Sequence, residues 1–169
     1  MNSDTISKLV GKHPFLQSET TFEEFVDAWK SGTLPKRAWT HGAHVAIGAY
    51  FSFDQSRDEA LHIVRAGIIH FNTCVGTANT EDSGYHETLT RFWLGLVRDF
   101  VEAGCFASRW EAARAAVLAF GDDSGRFRLY YSFDVVRDRV ARREWVPPDR
   151  APEVTSADQS DVEFSGNTV

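Results

Sequence analysis

Cysteine is scarce in this chain of 169 residues: Cys74 and Cys105 are far apart and form no C-x-x-C pair. Reduced thiols are the simplest expectation, each a small filler of the core. The opening "MNSDTISKLVGKHPF" lacks the basic start and apolar run of a signal peptide, and no apolar stretch is long enough to span a bilayer. A cytoplasmic protein without a membrane partner is therefore expected. Positive charge is also short, with 18 Lys and Arg against 24 Asp and Glu and a formal net charge of −6. Nucleic-acid binders usually present a basic face, so that balance argues against a nucleic-acid partner. The sequence has no Gly-rich phosphate loop, no G-x-S-x-G and no cysteine beside an evident base. Internal repeats are absent and strand signals few.

What the chain does have is bulk. Hydrophobic residues make up 43%, with 13 Phe and 5 Trp, the composition of a globular protein with a large core. The first stretch, residues 1–19, reads as a flexible arm, with His13 inside it. A helix follows, with Thr21 and Glu24 as a capping box, Phe22, Phe25, Val26 and Trp29 as its apolar stripe, and Gly32 as its stop. The uncharged stretch at residues 38–53 belongs to a second helix expected over 36–53, buried on most sides and so central. A third helix runs from the Ser56 cap to Gly76 on a Leu61, Val64, Ile68, Phe71 and Val75 stripe. A fourth covers residues 84–104 on Leu89, Trp93, Leu96, Val97 and Phe100, and a fifth opens on Ser108 and Glu111 and ends at Gly121. A short extended piece and a last helix are expected in "RFRLYYSFDVVRDRVARREW". The arginines of residues 137–143 read as a solvated face, and Tyr130 and Tyr131 as packing residues. The class is all-α: one bundle of five or six helices over residues 20–146, then a disordered tail over 147–169 rich in Pro, Ser and acids.

The chemistry concentrates on histidine. His41 and His44 lie three apart, so they share a helix face, with Gly48 one turn on leaving room beside them. His86 falls on the core stripe of the fourth helix, at its positive N-terminal end, which favours neutral imidazole. Three neutral imidazoles from two helices can hold a divalent transition metal (Zn, Fe, Ni or Cu) and keep a coordination position open. The leading expectation is thus a metal-dependent enzyme with a mononuclear site at His41, His44 and His86. Its small-molecule substrate would sit in a pocket lined by Trp39, Tyr50 and Trp93, with Asn72 as a further polar contact. Glu87 is a candidate orienter or general base, set against an i,i+4 pair with Arg91, and Tyr85 a candidate donor to a bound oxygen. Glu59 and His62 form a lone surface pair, and His70 points to solvent.

Two other readings fit the same residues. One is a non-catalytic binding or interaction module with structural histidines, in which the aromatic residues form a ligand pocket or an oligomer interface such as a homodimer. The other is metal-free acid–base catalysis by His86 with Glu87 or His44.

The phrases "AWTHGAHV" and "GYHETLTRFWL", with the ending "EWVPPD", resemble those of a group of short bacterial helical proteins with no established activity. The resemblance covers most of residues 36–150 and implies that the two histidine phrases form one signature. The architecture is also similar to that of DinB-like metal-binding bundles, which hold a divalent ion with three histidines. Their histidine spacing is usually wider than the H-x-x-H of this chain, so the likeness implies only that such a site fits such a bundle.

Overall fold

Helix boundaries in this chain are set by small polar caps and by proline. The computed structural model describes residues 3–151. Its helices are α1 (Ser3–Lys12), α2 (Glu19–Lys30), α3 (His41–Ser52), α4 (Arg57–Cys74), α5 (Glu87–Ala103), α6 (Arg109–Phe120) and α7 (Arg139–Arg143), with short 3-10 turns at Pro14–Leu16, Lys36–Ala38 and Arg126–Leu129. There is no strand among the described residues, and none of their helices is long and apolar enough to cross a membrane. The fold is an all-α bundle.

α3 is the central helix. It packs against α4, α5 and α6, and every residue from Val45 to Ser52 is buried. Trp29 of α2 packs against Gly67 of α4, where a Cβ would collide with the indole. Phe71, Trp39 and Phe51 gather around these rings. A second, smaller core forms where the chain after α6 folds back on α5: Phe92, Phe127, Tyr131, Val135 and Ala141 are its buried members. Thr88 pins this return, its hydroxyl donating to Glu144 O at 2.7 Å and accepting from Val146 N–H at 2.9 Å.

Several expectations change. The segment read as a flexible arm is helical over Ser3–Lys12, with Leu9, His13 and Leu16 buried. α2 is capped by Ser18, which accepts from Thr21 N–H, so the helix begins two residues before Thr21. Thr21 still contributes, through its hydroxyl contact to Ser18 at 2.7 Å. The helix expected from residue 36 begins at His41, because Thr40 is extended and caps it through Ala43 N–H. Among the described residues no extended strand follows α6, and the final helix there, α7, has only five residues. Both cysteines are exposed rather than core filler: Cys74 ends α4, and Cys105 sits between α5 and α6. The first tail residues are tied down, Asp149 accepting from Ser132 N–H at 2.8 Å and Arg150 N–H reaching Tyr130 O at 3.1 Å. Residues 152–169 lie outside the described residues. The arginines of α7 do more than face solvent. Arg139 and Arg143 pair with Glu81 and Asp82, and Arg142 donates to the carbonyls of Gly84, Tyr85 and Val136.

Candidate functional site

The first turn of α3 supplies two imidazoles, each fixed by a main-chain carbonyl. His44 donates Nδ1–H to Thr40 O at 2.7 Å, within its own turn. His41 donates Nε2–H to the carbonyl of Phe120 at 3.1 Å. That carbonyl ends α6, where the last helical oxygens lack helix partners. His41 also sits edge-on to Trp93, and His44 lies 3.9 Å from the Trp39 ring, centroid to centroid. Burial holds His41 below the ordinary imidazole range, against the raising effects of the Phe120 carbonyl and Asp123. His44 is lowered for the same leading reason, with the Thr40 carbonyl opposing and His41 adding to it. Its ring is packed about with protein yet keeps open surface, because that surface faces a pocket. Both are neutral near pH 7.

His86 plays a different part from the one expected. It is the N-cap of α5, not a residue inside the helix: Nδ1 accepts from Leu89 N–H at 3.3 Å. Its Nε2–H donates to Val135 O at 2.9 Å. Both ring nitrogens are therefore engaged, and one imidazole joins the helix start to the returning C-terminal segment. Burial lowers its pKa, Val135 and Asp138 opposing and Arg142 assisting.

All three histidines line one pocket, of about 330 Å³, between α3, α4, α5 and the 3-10 turn after α6. Its walls are mostly apolar: Val45, Val64, Ile68, Leu89, Trp93, Leu94, Val97 and Phe127. Gly48 forms part of the floor, where an added Cβ would meet Leu94 and Val97 at 3.7 and 3.8 Å, ordinary contact distances. Polar lining comes from the three imidazoles, Tyr85, Thr90 and Ser124, and no Asp, Glu, Lys or Arg lines it.

Glu87 stands beside this pocket with its oxygens already committed. Arg65 of α4 donates to both of them, from Nε at 2.9 Å and from Nη2, and Tyr85 donates its hydroxyl at 2.7 Å. Burial works against the Glu87 charge, but these bonds, with the charges of Arg65 and Arg91, hold its carboxyl below the usual range. An ion-paired, triply bonded carboxylate is a poor proton acceptor, so the geometry makes Glu87 an anchor of α5 rather than a general base. Its main cation is Arg65, with Arg91 at 3.9 Å, where the sequence suggested Arg91. Tyr85 is pushed up to about 12, first by burial and then by its bond to Glu87.

The remaining candidates separate. Trp93 lines the pocket. Trp39 flanks a neighbouring depression behind His44, together with Asn72. Asn72 donates to Asn79 Oδ1, which in turn accepts from Tyr85 N–H, so it shapes the loop before α5. Tyr50 is elsewhere: it packs on Phe22 and Phe51 and donates to Glu23 at 3.2 Å. Ser124 and Phe127 were missed, since only the return of the chain past α6 brings them to α3. No cluster of three His, Cys, Asp or Glu able to hold a metal occurs among the described residues. Among the three pocket histidines, the ring nitrogens without a protein partner are Nδ1 of His41 and Nε2 of His44. Comparison with family models, curated proteins and solved structures finds no match to the chain.

Proposed function

We propose that the protein binds a compact, largely apolar small molecule in the pocket between α3 and α5. The supporting observation is a cavity of about 330 Å³ with mostly apolar walls and two imidazoles whose free nitrogens are positioned by backbone bonds. Ligand pockets typically combine an apolar lining with a few fixed polar groups, at volumes of roughly 300 Å³ and above. Toluene and benzyl alcohol are suitable probes, read by thermal shift and by Trp93 fluorescence. Saturable binding is expected, raising Tm by the amount that mass action requires. Filling the pocket from either wall, by Gly48→Leu or Leu89→Trp, should abolish it. Failure of every such apolar probe to bind the folded wild-type chain would overturn the reading.

A second reading keeps a metal. His41 and His44 each retain one nitrogen, and each donates the other N–H to a carbonyl, the arrangement that orients metal-bound imidazoles. A Zn²⁺ or Cu²⁺ ion held there would take its other ligands from water or substrate, since both His86 nitrogens are engaged. Under it, Zn²⁺ or Cu²⁺ raises Tm in wild type and in His86→Asn, and not in His41→Ala or His44→Ala. No Tm response to either ion in the wild type would exclude this reading. Acid–base chemistry, if present, falls to His44 rather than His86, because protonating His86 on Nδ1 would break the cap of α5.

A further inference from the structure

We infer that the pocket selects ligands by a hydrogen-bond donor, a hydroxyl or amine carried on the apolar body, and discriminates against carboxylates and phosphates. The inference rests on the binding reading above and specifies its ligand chemistry. A carbonyl oxygen can only accept, so an imidazole nitrogen bonded to one must carry the proton. His41 therefore holds its proton on Nε2, facing Phe120 O, and His44 on Nδ1, facing Thr40 O. A neutral imidazole has one N–H, so Nδ1 of His41 and Nε2 of His44 are lone pairs. His86 adds no donor: its single N–H goes to Val135 O. Tyr85 adds no donor either: it spends its O–H on Glu87.

The free imidazole nitrogens of the pocket are thus acceptors, and its side-chain donors are the hydroxyls of Thr90 and Ser124 and the indole N–H of Trp93. No cation lines the cavity. An anion entering it would be stripped of water with no counter-charge and would face lone pairs, an arrangement that costs free energy twice. A hydroxyl or amine does the reverse, satisfying two acceptors that otherwise depend on water.

Matched probes on one phenyl scaffold test this with the full chain in calorimetry: benzyl alcohol, benzylamine, benzyl methyl ether, toluene and benzoate. Benzyl alcohol or benzylamine should bind about tenfold tighter than the ether, the factor one hydrogen bond supplies. Benzoate should bind more weakly than toluene. Benzylamine ahead of benzyl alcohol would mark a cationic donor and the reverse order a neutral one, and both uphold the inference. The preference for alcohol over ether should collapse in His44→Phe, which keeps a ring and removes the lone pair, while toluene still binds. The wild-type ratios carry the test even if that variant folds poorly. Equal binding of alcohol and ether, or benzoate ahead of both, overturns the inference and leaves the pocket reading standing. Binding by none of the probes overturns both.

Discussion

Gly48 and Gly67 carry opposite expectations, and the contrast exposes what each is for. Glycine inside a helix costs roughly 0.5–1 kcal/mol relative to alanine. At Gly48 an added Cβ meets only ordinary contacts, so Gly48→Ala should raise Tm by about 1–4 °C in a chain of this size while weakening benzyl alcohol binding. The glycine is then explained by the space it leaves in the pocket. At Gly67 the Trp29 indole occupies the Cβ position, and Trp29 is only 1% exposed, so Gly67→Ala should cost about 1–3 kcal/mol by overpacking. Chemical denaturation of the two variants side by side checks the signs. His86 gives a second prediction at this scale. His86→Ala removes the cap of α5 and strands the Val135 carbonyl, which should cost about 2–4 kcal/mol together. His86→Asn should recover the capping part alone. A loss in His86→Asn as large as in His86→Ala would show that the cap contributes little.

The elements reveal how much hangs on α5. Its first turn is held from one side by Arg65 of α4 through Glu87, and from the other by the returning chain through His86 and Thr88. That two-sided burial explains a shift in its buried face. The sequence stripe named Leu89, Trp93, Leu96, Val97 and Phe100, yet the buried residues are Glu87, Thr88, Phe92, Leu94, Val97 and Val101. A single apolar stripe assumes one partner, and α5 has two, with the pocket leaving Leu89 and Trp93 half open. Thr88→Val keeps the shape but strands Val146 N–H and Glu144 O, so about 1–3 kcal/mol should be lost. Faster amide exchange over residues 126–146 is the expected local sign, while α2 and α3 keep their protection. Uniform protection across the whole chain would contradict the pinning role.

At the scale of the whole molecule, His13, His41, His44 and His86 all have lowered pKa values, with burial the leading cause in each. The sign follows from linkage: below the ordinary value of 6.5 the unfolded chain binds protons that the native chain refuses. Stability should therefore fall as pH drops from about 7 toward 5, and Tm should be lower at pH 5.5 than at pH 7.5. Glu87 adds a separate acid limb. Its lowered pKa contributes stability above the ordinary carboxyl value of 4.5, and that contribution is lost as pH falls through its native value. Thermal melts across pH 3–8 resolve the two limbs, and a Tm flat between 7.5 and 5.5 would refute the histidine limb.

The helices were legible because their signals are local. Apolar steps of three and four, the Ser56 and Ser108 caps and the uncharged run around Gly48 fix α2 to α6 and the central place of α3. The same local geometry put His41 and His44 on one side of α3, and both do line one pocket with His86. Where the His41 and His86 protons sit was decided elsewhere, by carbonyls 79 and 49 residues away in sequence at Phe120 and Val135. Those partners depend on how α6 ends and how the chain returns across α5, which no periodicity encodes. So the residue types and their faces came from the sequence, while the tertiary structure made His86 a cap and Glu87 an anchor, and left one ring nitrogen of His41 and one of His44 without a protein partner.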